Sequence, residues 1–163
     1  MAYTFETMSG SHRKAVIDIF NYYIQHSYAA YPDQPVTDDF FDRFLEMSRG
    51  YPAVVVKAGG EVAGFGFLRP FHPANTFRRT AEVTYFLVPE HTRQGLGTAM
   101  LDLFAEQAGN LGIDSILASV SSHNHQSLKF HLKNGFRECG RLSRVGRKFG
   151  QDVDVVWLQK RLR

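Results

Sequence analysis

A strand, a glycine turn and a helix follow one another in the middle of the chain, and this junction constrains the fold most. Thr80–Val88 is rich in β-branched and aromatic residues and ends at Pro89. The next residues pass through Gly95 and Gly97 into a helix whose apolar residues are predicted to lie on one buried face, namely Leu96, Met100, Leu103, Phe104 and Leu111. Such a turn can bind phosphate, because glycines admit a ligand and first-turn N–H groups are free. On glycine spacing alone, an ordinary tight turn that binds no ligand is the alternative. A dinucleotide-binding fingerprint is excluded, because Met100 stands at its third glycine position.

Helical and strand-like patterns are interspersed along the rest of the chain. Helices are predicted from an N-cap at Ser11 to residue 26, from Thr37 onward and at 125–134. Further strands are predicted at 2–7, 51–57, 61–68, 114–120, 136–145 and 152–160. A loop is expected from Arg69 to Arg79, and Ala58–Gly60 indicates a hairpin. Helices interspersed with strands predict a mixed α/β sheet.

Composition narrows the class of protein further. A length of 163 residues predicts one domain, residues 1–163, and 44% hydrophobic residues support a substantial core. The single cysteine, Cys139, indicates a reducing compartment such as the cytoplasm, and we expect a partly buried structural thiol. No apolar run reaches the ~18 residues of a membrane span, so no membrane association is expected. The net charge is only +3 and the basic residues are dispersed, so binding to nucleic acid is not expected. A nucleic-acid-binding domain, kept as an alternative, would bind with a steep salt dependence.

Two sequence blocks resemble the GNAT superfamily of N-acetyltransferases. Residues 88–101 resemble its acetyl-CoA pyrophosphate loop, usually written Q/R-x-x-G-x-G/A. Residues 124–127 and 130–136 resemble the second block, N-x-x-S/A ending in K-x-G-F, and follow at the family's order and distance. The resemblance extends over nearly the whole chain and is closest to the phosphinothricin and methionine sulfone acetyltransferase branch. It implies the GNAT fold, a single mixed, mostly antiparallel sheet of about seven strands flanked by about four helices.

The resemblance also implies acetyl-CoA as a co-substrate, whereas the residues themselves predict no metal site. The histidines near Asn124 have no cysteine or acidic partner at a familiar metal-ligand spacing. The pyrophosphate would be bound by the loop residues Arg93, Gln94, Gly95, Leu96, Gly97 and Thr98. Backbone amides of Tyr85, Phe86 and Leu87 would bind the pantetheine and the carbonyl oxygen, and Asn124 would contact the pantetheine arm. Thr92 departs from the motif, which normally has Gln or Arg there.

Acetyl transfer needs a neutral amine, whereas an alkylammonium has a pKa near ~10 and requires a base. Glu82 lies inside an apolar strand, where a carboxylate is costly unless it is paired, solvated or functional. On the residues alone it could pair with Arg78 or Arg79, whereas the resemblance implies a catalytic base acting through water. The resemblance likewise implies His131 as the acid that protonates the CoA thiolate. A histidine pKa near ~6.5 suits a thiol pKa of about 8.5, although a structural histidine is the alternative.

The acceptor implied by the resemblance is the amine of a small, amino-acid-like molecule, acetylated directly in a ternary complex. Arg78 is a candidate to bind its carboxylate, since a guanidinium does so bidentately. The run Tyr28–Tyr31 departs from the branch where the acceptor pocket would be shaped, which makes Tyr28 a candidate substrate-binding residue. Alternatives are a protein N-terminus or a polyamine as acceptor, or a non-catalytic acyl-CoA-binding or sensing module. The resemblance also implies a homodimer.

Overall fold

The computed structural model describes residues 2–163, which form seven strands and four α-helices. The strands are β1 (Tyr3–Thr7), β2 (Ala53–Ala58), β3 (Glu61–Pro70), β4 (Thr80–Leu87), β5 (Ser115–Ser121), β6 (Arg137–Lys148) and β7 (Gln151–Arg161). The helices are α1 (Arg13–His26), α2 (Phe41–Met47), α3 (Leu96–Asn110) and α4 (His125–Lys133). Within residues 2–163, no helix combines the length and the apolar character needed to cross a membrane.

The strands form one sheet in the order β1-β2-β3-β4-β5-β7-β6. The neighbours β4 and β5 run parallel, and the other neighbouring pairs are antiparallel. A parallel pair needs a crossover connection, and α3 supplies it between β4 and β5. The predicted fold class, a mixed and mostly antiparallel seven-stranded sheet with four helices, is confirmed.

The parallel pair at the centre of the sheet is short. Only Thr80, Ala81 and Glu82 of β4 pair with β5, whereas β3 pairs with β4 as far as Leu87. Beyond Glu82 the two central strands therefore separate, and the β5-facing edge of β4 has no strand beside it. The Tyr23 hydroxyl of α1 donates a hydrogen bond to the Leu87 carbonyl, which satisfies one polar group of the separated segment.

Apolar residues pack on both faces of the sheet. One core includes Met100 and Phe104 of α3, and the other includes Phe20 of α1 and Phe44 of α2. Since side chains alternate along a strand, neighbouring β4 residues contribute to different faces. Tyr85 and Leu87 pack on the α3 face, whereas Phe86 packs on the α1 face. By the same alternation, Glu82 lies on the α1 face, as Phe86 does.

Three local predictions were wrong. A 3-10 turn, Gly10–His12, precedes α1, and Ser9 rather than Ser11 begins it, with the Ser9 amide donating to His12 Nδ1 at 3.0 Å. Leu111, expected on the buried face of α3, lies beyond the helix end and is 51% exposed. Cys139 is exposed on β6 rather than partly buried.

Two strands are longer than the sequence indicated. β3 continues to Pro70, so Arg69 belongs to the strand and not to the following loop. β6 continues to Lys148, and a two-residue turn joins it to β7. Both turn residues have positive φ, +52° at Phe149 and +74° at Gly150, as a type I′ hairpin turn requires.

Glycine is required where α3 crosses β3, and this generates the first prediction. A Cβ at Gly66 would lie 2.7 Å from Met100 Sδ and 2.8 Å from Tyr85 Cβ. We expect Gly66→Ala to lower the free energy of unfolding by about 1–3 kcal/mol through overpacking, measured by urea denaturation. Gly109→Ala is the matched control, because its Cβ would meet nothing within 4 Å and a helical Gly→Ala change adds about 0.5–1 kcal/mol. Similar effects of the two substitutions would contradict this account of Gly66.

Candidate active site

A cavity of about 1030 Å³ lies where β4 and β5 separate. Its walls come from β3, β4, β5, α1, α2, α4, the turn before α3 and the segment after α1. The sequence-predicted site residues that line it are Glu82, Tyr85, Phe86, Leu87, Arg93, Gly95, Gly97, Thr98, Asn124 and His131. One cavity thus contains the candidate base, the candidate acid and most of the candidate donor-binding residues.

The turn before α3 has the conformation that phosphate binding requires. Gly95 is the N-cap of α3 at φ +81°, and the Ala99 amide makes the helix-type bond to the Gly95 carbonyl. The amides of Leu96, Gly97 and Thr98 therefore precede the hydrogen-bonded part of the helix, where amides lack intrahelical partners. Arg93 has φ +61°, a left-handed conformation that costs a non-glycine residue about 1–3 kcal/mol. Such strain is typical of ligand-binding turns.

Contacts with α4 fix the same turn. A Cβ at Gly97 would lie 3.1 Å from the Phe130 ring, so the turn packs closely on α4 and a larger residue would require the ring to shift. Thr98 Oγ1 donates to Asn134 Oδ1 at 3.1 Å. Two other loop predictions differ in detail: the Leu96 side chain is buried, and the Gln94 side chain bonds to Tyr3 and to the Glu90 carbonyl. Only the backbone of these two residues is a candidate for phosphate contact.

The free edge of β4 presents alternate backbone groups to the cavity. Val88 donates its amide to the Ala63 carbonyl at 2.8 Å. Ladder bonds alternate along an antiparallel pair, so the Phe86 amide also faces β3. The amides of Tyr85 and Leu87 then face the gap beside β5. The prediction for Phe86 therefore changes, because its side chain lines the cavity while its amide belongs to the β3–β4 ladder.

Glu82 is the last β4 residue paired with β5 and is only 9% exposed. Its Oε1 accepts a hydrogen bond from Arg69 Nη2 at 3.1 Å, and the two residues are register partners on β3 and β4. The alternative in which Arg78 or Arg79 pairs with Glu82 is wrong, because Glu82 pairs with Arg69, and Arg79 pairs with Asp114. A buried carboxylate needs such a partner, and β3 supplies it.

Arg69 is the site residue that the sequence reasoning missed. The predicted strand stopped two residues too early, at Leu68, which left Arg69 in a loop. A signal was present, because Phe65, Phe67 and Arg69 share one face of β3 by alternation. The two phenylalanines pack in the α1-side core, and Arg69 continues their row into the cavity.

The two candidate acceptor-binding residues do not line the main cavity. Arg78 is exposed at the end of a short 3-10 turn, outside the residues that line it. Tyr28 stacks on the His123 ring, with centroids 4.4 Å apart, and lines a second cavity of about 260 Å³. Tyr31 lines both cavities, and its hydroxyl lies 2.9 Å from Ser119 Oγ. The structure thus places Tyr31, rather than Tyr28, in the same cavity as Glu82.

His131 is buried in α4 and hydrogen-bonded at both ring nitrogens. Nδ1 donates to the Ser127 carbonyl at 2.7 Å, so Nε2 accepts from the Tyr85 hydroxyl at 2.6 Å. Burial lowers the pKa of His131 to about 4, and burial also raises the pKa of Tyr85. The expectation of an ordinary pKa near ~6.5 does not hold, and His131 is neutral at pH 7.

The burial of His131 predicts a loss of stability in acid. An unfolded histidine binds a proton near pH ~6.5, whereas the folded one binds it only near pH 4. The His131 contribution is complete above the unfolded pKa and is lost as the pH falls through the folded pKa. Between pH 7 and pH 4 it amounts to roughly 3 kcal/mol. Denaturant unfolding of wild type and His131→Phe should show this difference in pH slope. Titration of the His131 ring near pH ~6.5 by NMR would contradict it.

Comparison with known proteins gives a family and several relatives. A model of the acetyltransferase (GNAT) family matches residues 16–136. The L-methionine sulfoximine/L-methionine sulfone acetyltransferase of Salmonella typhimurium is 29% identical over 150 residues, covering 91% of this chain and 88% of the relative. The phosphinothricin N-acetyltransferase of Streptomyces viridochromogenes is 29% identical over 147 residues, covering 90% of this chain and 80% of the relative. These relatives confirm the resemblance to that branch.

A solved structure extends the comparison to the fold. The yncA protein of Salmonella typhimurium, solved with acetyl-CoA, superimposes with a TM-score of 0.91 at 27% identity. The match covers 100% of this chain and 95% of that protein. Within residues 2–163, no three His, Cys, Asp or Glu residues are grouped so that they could hold a metal ion.

Proposed function

This chain belongs to the acetyltransferase (GNAT) family, and we propose that it acetylates the amine of a small α-amino acid by direct transfer in a ternary complex. As a member of the family it is an N-acetyltransferase that uses acetyl-CoA. The single observation that carries the proposal is the position of Glu82, buried in the cavity at the point where β4 and β5 separate.

The donor would bind along the gap and the turn before α3. The first-turn amides of α3 suit the pyrophosphate, with Arg93 as a nearby cation. Thr92 lines the same cavity, and the amide donors belong to Leu96, Gly97 and Thr98, so they do not depend on the side chain at position 92. The Tyr85 and Leu87 amides would bind the pantetheine and stabilise the oxyanion on the acetyl carbonyl. Asn124 also lines the cavity beside the pantetheine path, although its Oδ1 already caps α4 by accepting from Ser127 N at 3.2 Å.

Glu82 would remove the proton from the acceptor ammonium, directly or through water. The neutral amine then attacks the acetyl carbonyl carbon, and its nitrogen, which is positively charged in the tetrahedral intermediate, becomes acidic. We place the thiolate's proton donor at the His131–Tyr85 pair. A neutral His131 holds no proton at Nε2, so the proton shared by the pair is that of the Tyr85 hydroxyl. The Tyr85 hydroxyl would donate this proton to the departing sulfur and would regain a proton from the attacking nitrogen.

The relatives favour an amino-acid acceptor over the alternatives. Proteins named for L-methionine sulfone and phosphinothricin each match about nine-tenths of the chain. A protein N-terminus or a polyamine is the alternative acceptor within the same chemistry. A non-catalytic sensing module would bind acetyl-CoA without turnover. Such a module would not need a buried carboxylate in the cavity, so Glu82 favours the enzyme. We further propose that the chain acts as one domain, in the cytoplasm, and as a homodimer.

The Glu82→Gln variant tests the proposed base. We expect it to reduce kcat about 10²- to 10⁴-fold, because the amide cannot accept the ammonium proton. Thiol release from acetyl-CoA would be followed with amino acids, methionine sulfone, phosphinothricin, polyamines and short peptides. Acetyl-CoA affinity should stay within about threefold of wild type, since Glu82 does not belong to the donor contacts.

Glu46→Gln is the matched control, because Glu46 pairs with Arg49 on the exposed side of α2. The control should keep wild-type kcat. Unchanged turnover by Glu82→Gln would remove Glu82 as the base while leaving the enzyme class intact. Binding of acetyl-CoA by wild type with no turnover of any acceptor would favour the sensing module.

A further inference from the structure

Arg69 provides the positive charge that faces Glu82 in the cavity. Its Nη2 donates to Glu82 Oε1 at 3.1 Å, and both side chains line the cavity. The other lysine and arginine side chains of the cavity wall belong to the turn before α3 and to α4, namely Arg93, Lys129 and Lys133. The guanidinium of Arg69 is therefore the cationic group beside the candidate base.

The guanidinium has hydrogen-bonding capacity left over. Nη2 uses one hydrogen on Glu82, and Nη1 uses one on Met47 Sδ at 3.1 Å, which is a weak acceptor. Nε is buried and has no partner within the described part of the chain. Each terminal nitrogen keeps a second N–H, and the Arg69 side chain is 36% exposed. A guanidinium in this state can donate two hydrogen bonds to a carboxylate without losing its bond to Glu82.

The Arg69–Glu82 pair is complementary to an amino-acid zwitterion. In an α-amino acid a single carbon separates the ammonium from the carboxylate, so the two groups reach two adjacent protein charges. With the ammonium against Glu82, the carboxylate lies beside the guanidinium, and each substrate charge meets its opposite. An amine without a carboxylate would make only one of these two contacts.

We propose that Arg69 is the specificity-determining residue that binds the acceptor's α-carboxylate and so selects α-amino acids over simple amines. The inference rests on the proposed function, in which Glu82 receives the acceptor ammonium. Arg69 takes the role that the sequence suggested for Arg78, which is exposed and lies outside the cavity lining. The amine contact and the carboxylate contact then belong to register partners on adjacent strands.

The test compares two acceptors that differ only in the carboxylate. Wild type, Arg69→Met and Arg69→Lys would be assayed with L-methionine sulfone and with its decarboxylated amine. We expect Arg69→Met to lower kcat/KM for methionine sulfone about 10- to 100-fold, chiefly through KM, as for the loss of a charged hydrogen-bonding pair. The decarboxylated amine should lose about tenfold less kcat/KM than methionine sulfone, because only the support of Glu82 is then removed, and Arg69→Lys should restore part of the loss. Arg49→Met, which removes an exposed surface arginine, is the control and should match wild type.

The outcomes separate the role of Arg69 from the proposed function itself. An equal loss with both acceptors would mean that Arg69 acts only by supporting Glu82, and it would overturn the inference. Unchanged kinetics in Arg69→Met, or a selective loss in Arg78→Met instead, would also overturn it. If the wild type prefers the decarboxylated amine, the acetyltransferase activity stands and the carboxylate site at Arg69 is rejected. No turnover of any amine by wild type would reject both. Circular dichroism and thermal unfolding of each variant identify any loss that comes from misfolding.

Discussion

The early end of pairing between β4 and β5 is the constraint on which the rest of the site depends. Three residue pairs join the parallel strands, and the pairing stops at Glu82 and Leu117. Had the ladder continued, the Tyr85 and Leu87 amides would have been bonded to β5 and no cavity would have formed there. β3 still pairs with β4 from Ala81 to Leu87, so the separated segment stays an ordered strand. The gap therefore has a rigid wall with free backbone donors.

Alternation along β4 distributes the site between the two faces of the sheet. Tyr85 extends to the α3 face, where it meets His131, whereas Glu82 extends to the α1 face, where it meets Arg69. In the proposed mechanism, proton removal from the amine and proton delivery to the sulfur are thus kept on opposite sides of one strand. Transfer of the acetyl group would occur in the gap between them. Residues that are neighbours in sequence can play different roles because a strand presents them in opposite directions.

Much of this arrangement could be predicted from the sequence, and the failures have physical causes. Strand β4, the turn at Gly95 and α3 follow from local periodicity and turn chemistry, which neighbouring residues determine. The Arg69–Glu82 pair depends on the register between two strands, and no local pattern states which residue lies opposite another. The protonation of His131 depends on burial by Tyr85, Phe130 and Phe136, whose rings surround it only in the folded chain. The exposure of Arg78 likewise depends on the conformation of the segment that joins β3 to β4.

The most direct test of this account is an amide NMR titration with acetyl-CoA, which locates donor binding without requiring knowledge of the acceptor. If the gap beside β4 is the donor site, the largest shift changes should occur at Tyr85, Leu87 and the first turn of α3. The Phe86 amide should change less, because it faces β3. Saturable binding that left the β4 and α3 amides unchanged, with its largest effects elsewhere on the sheet, would contradict the account.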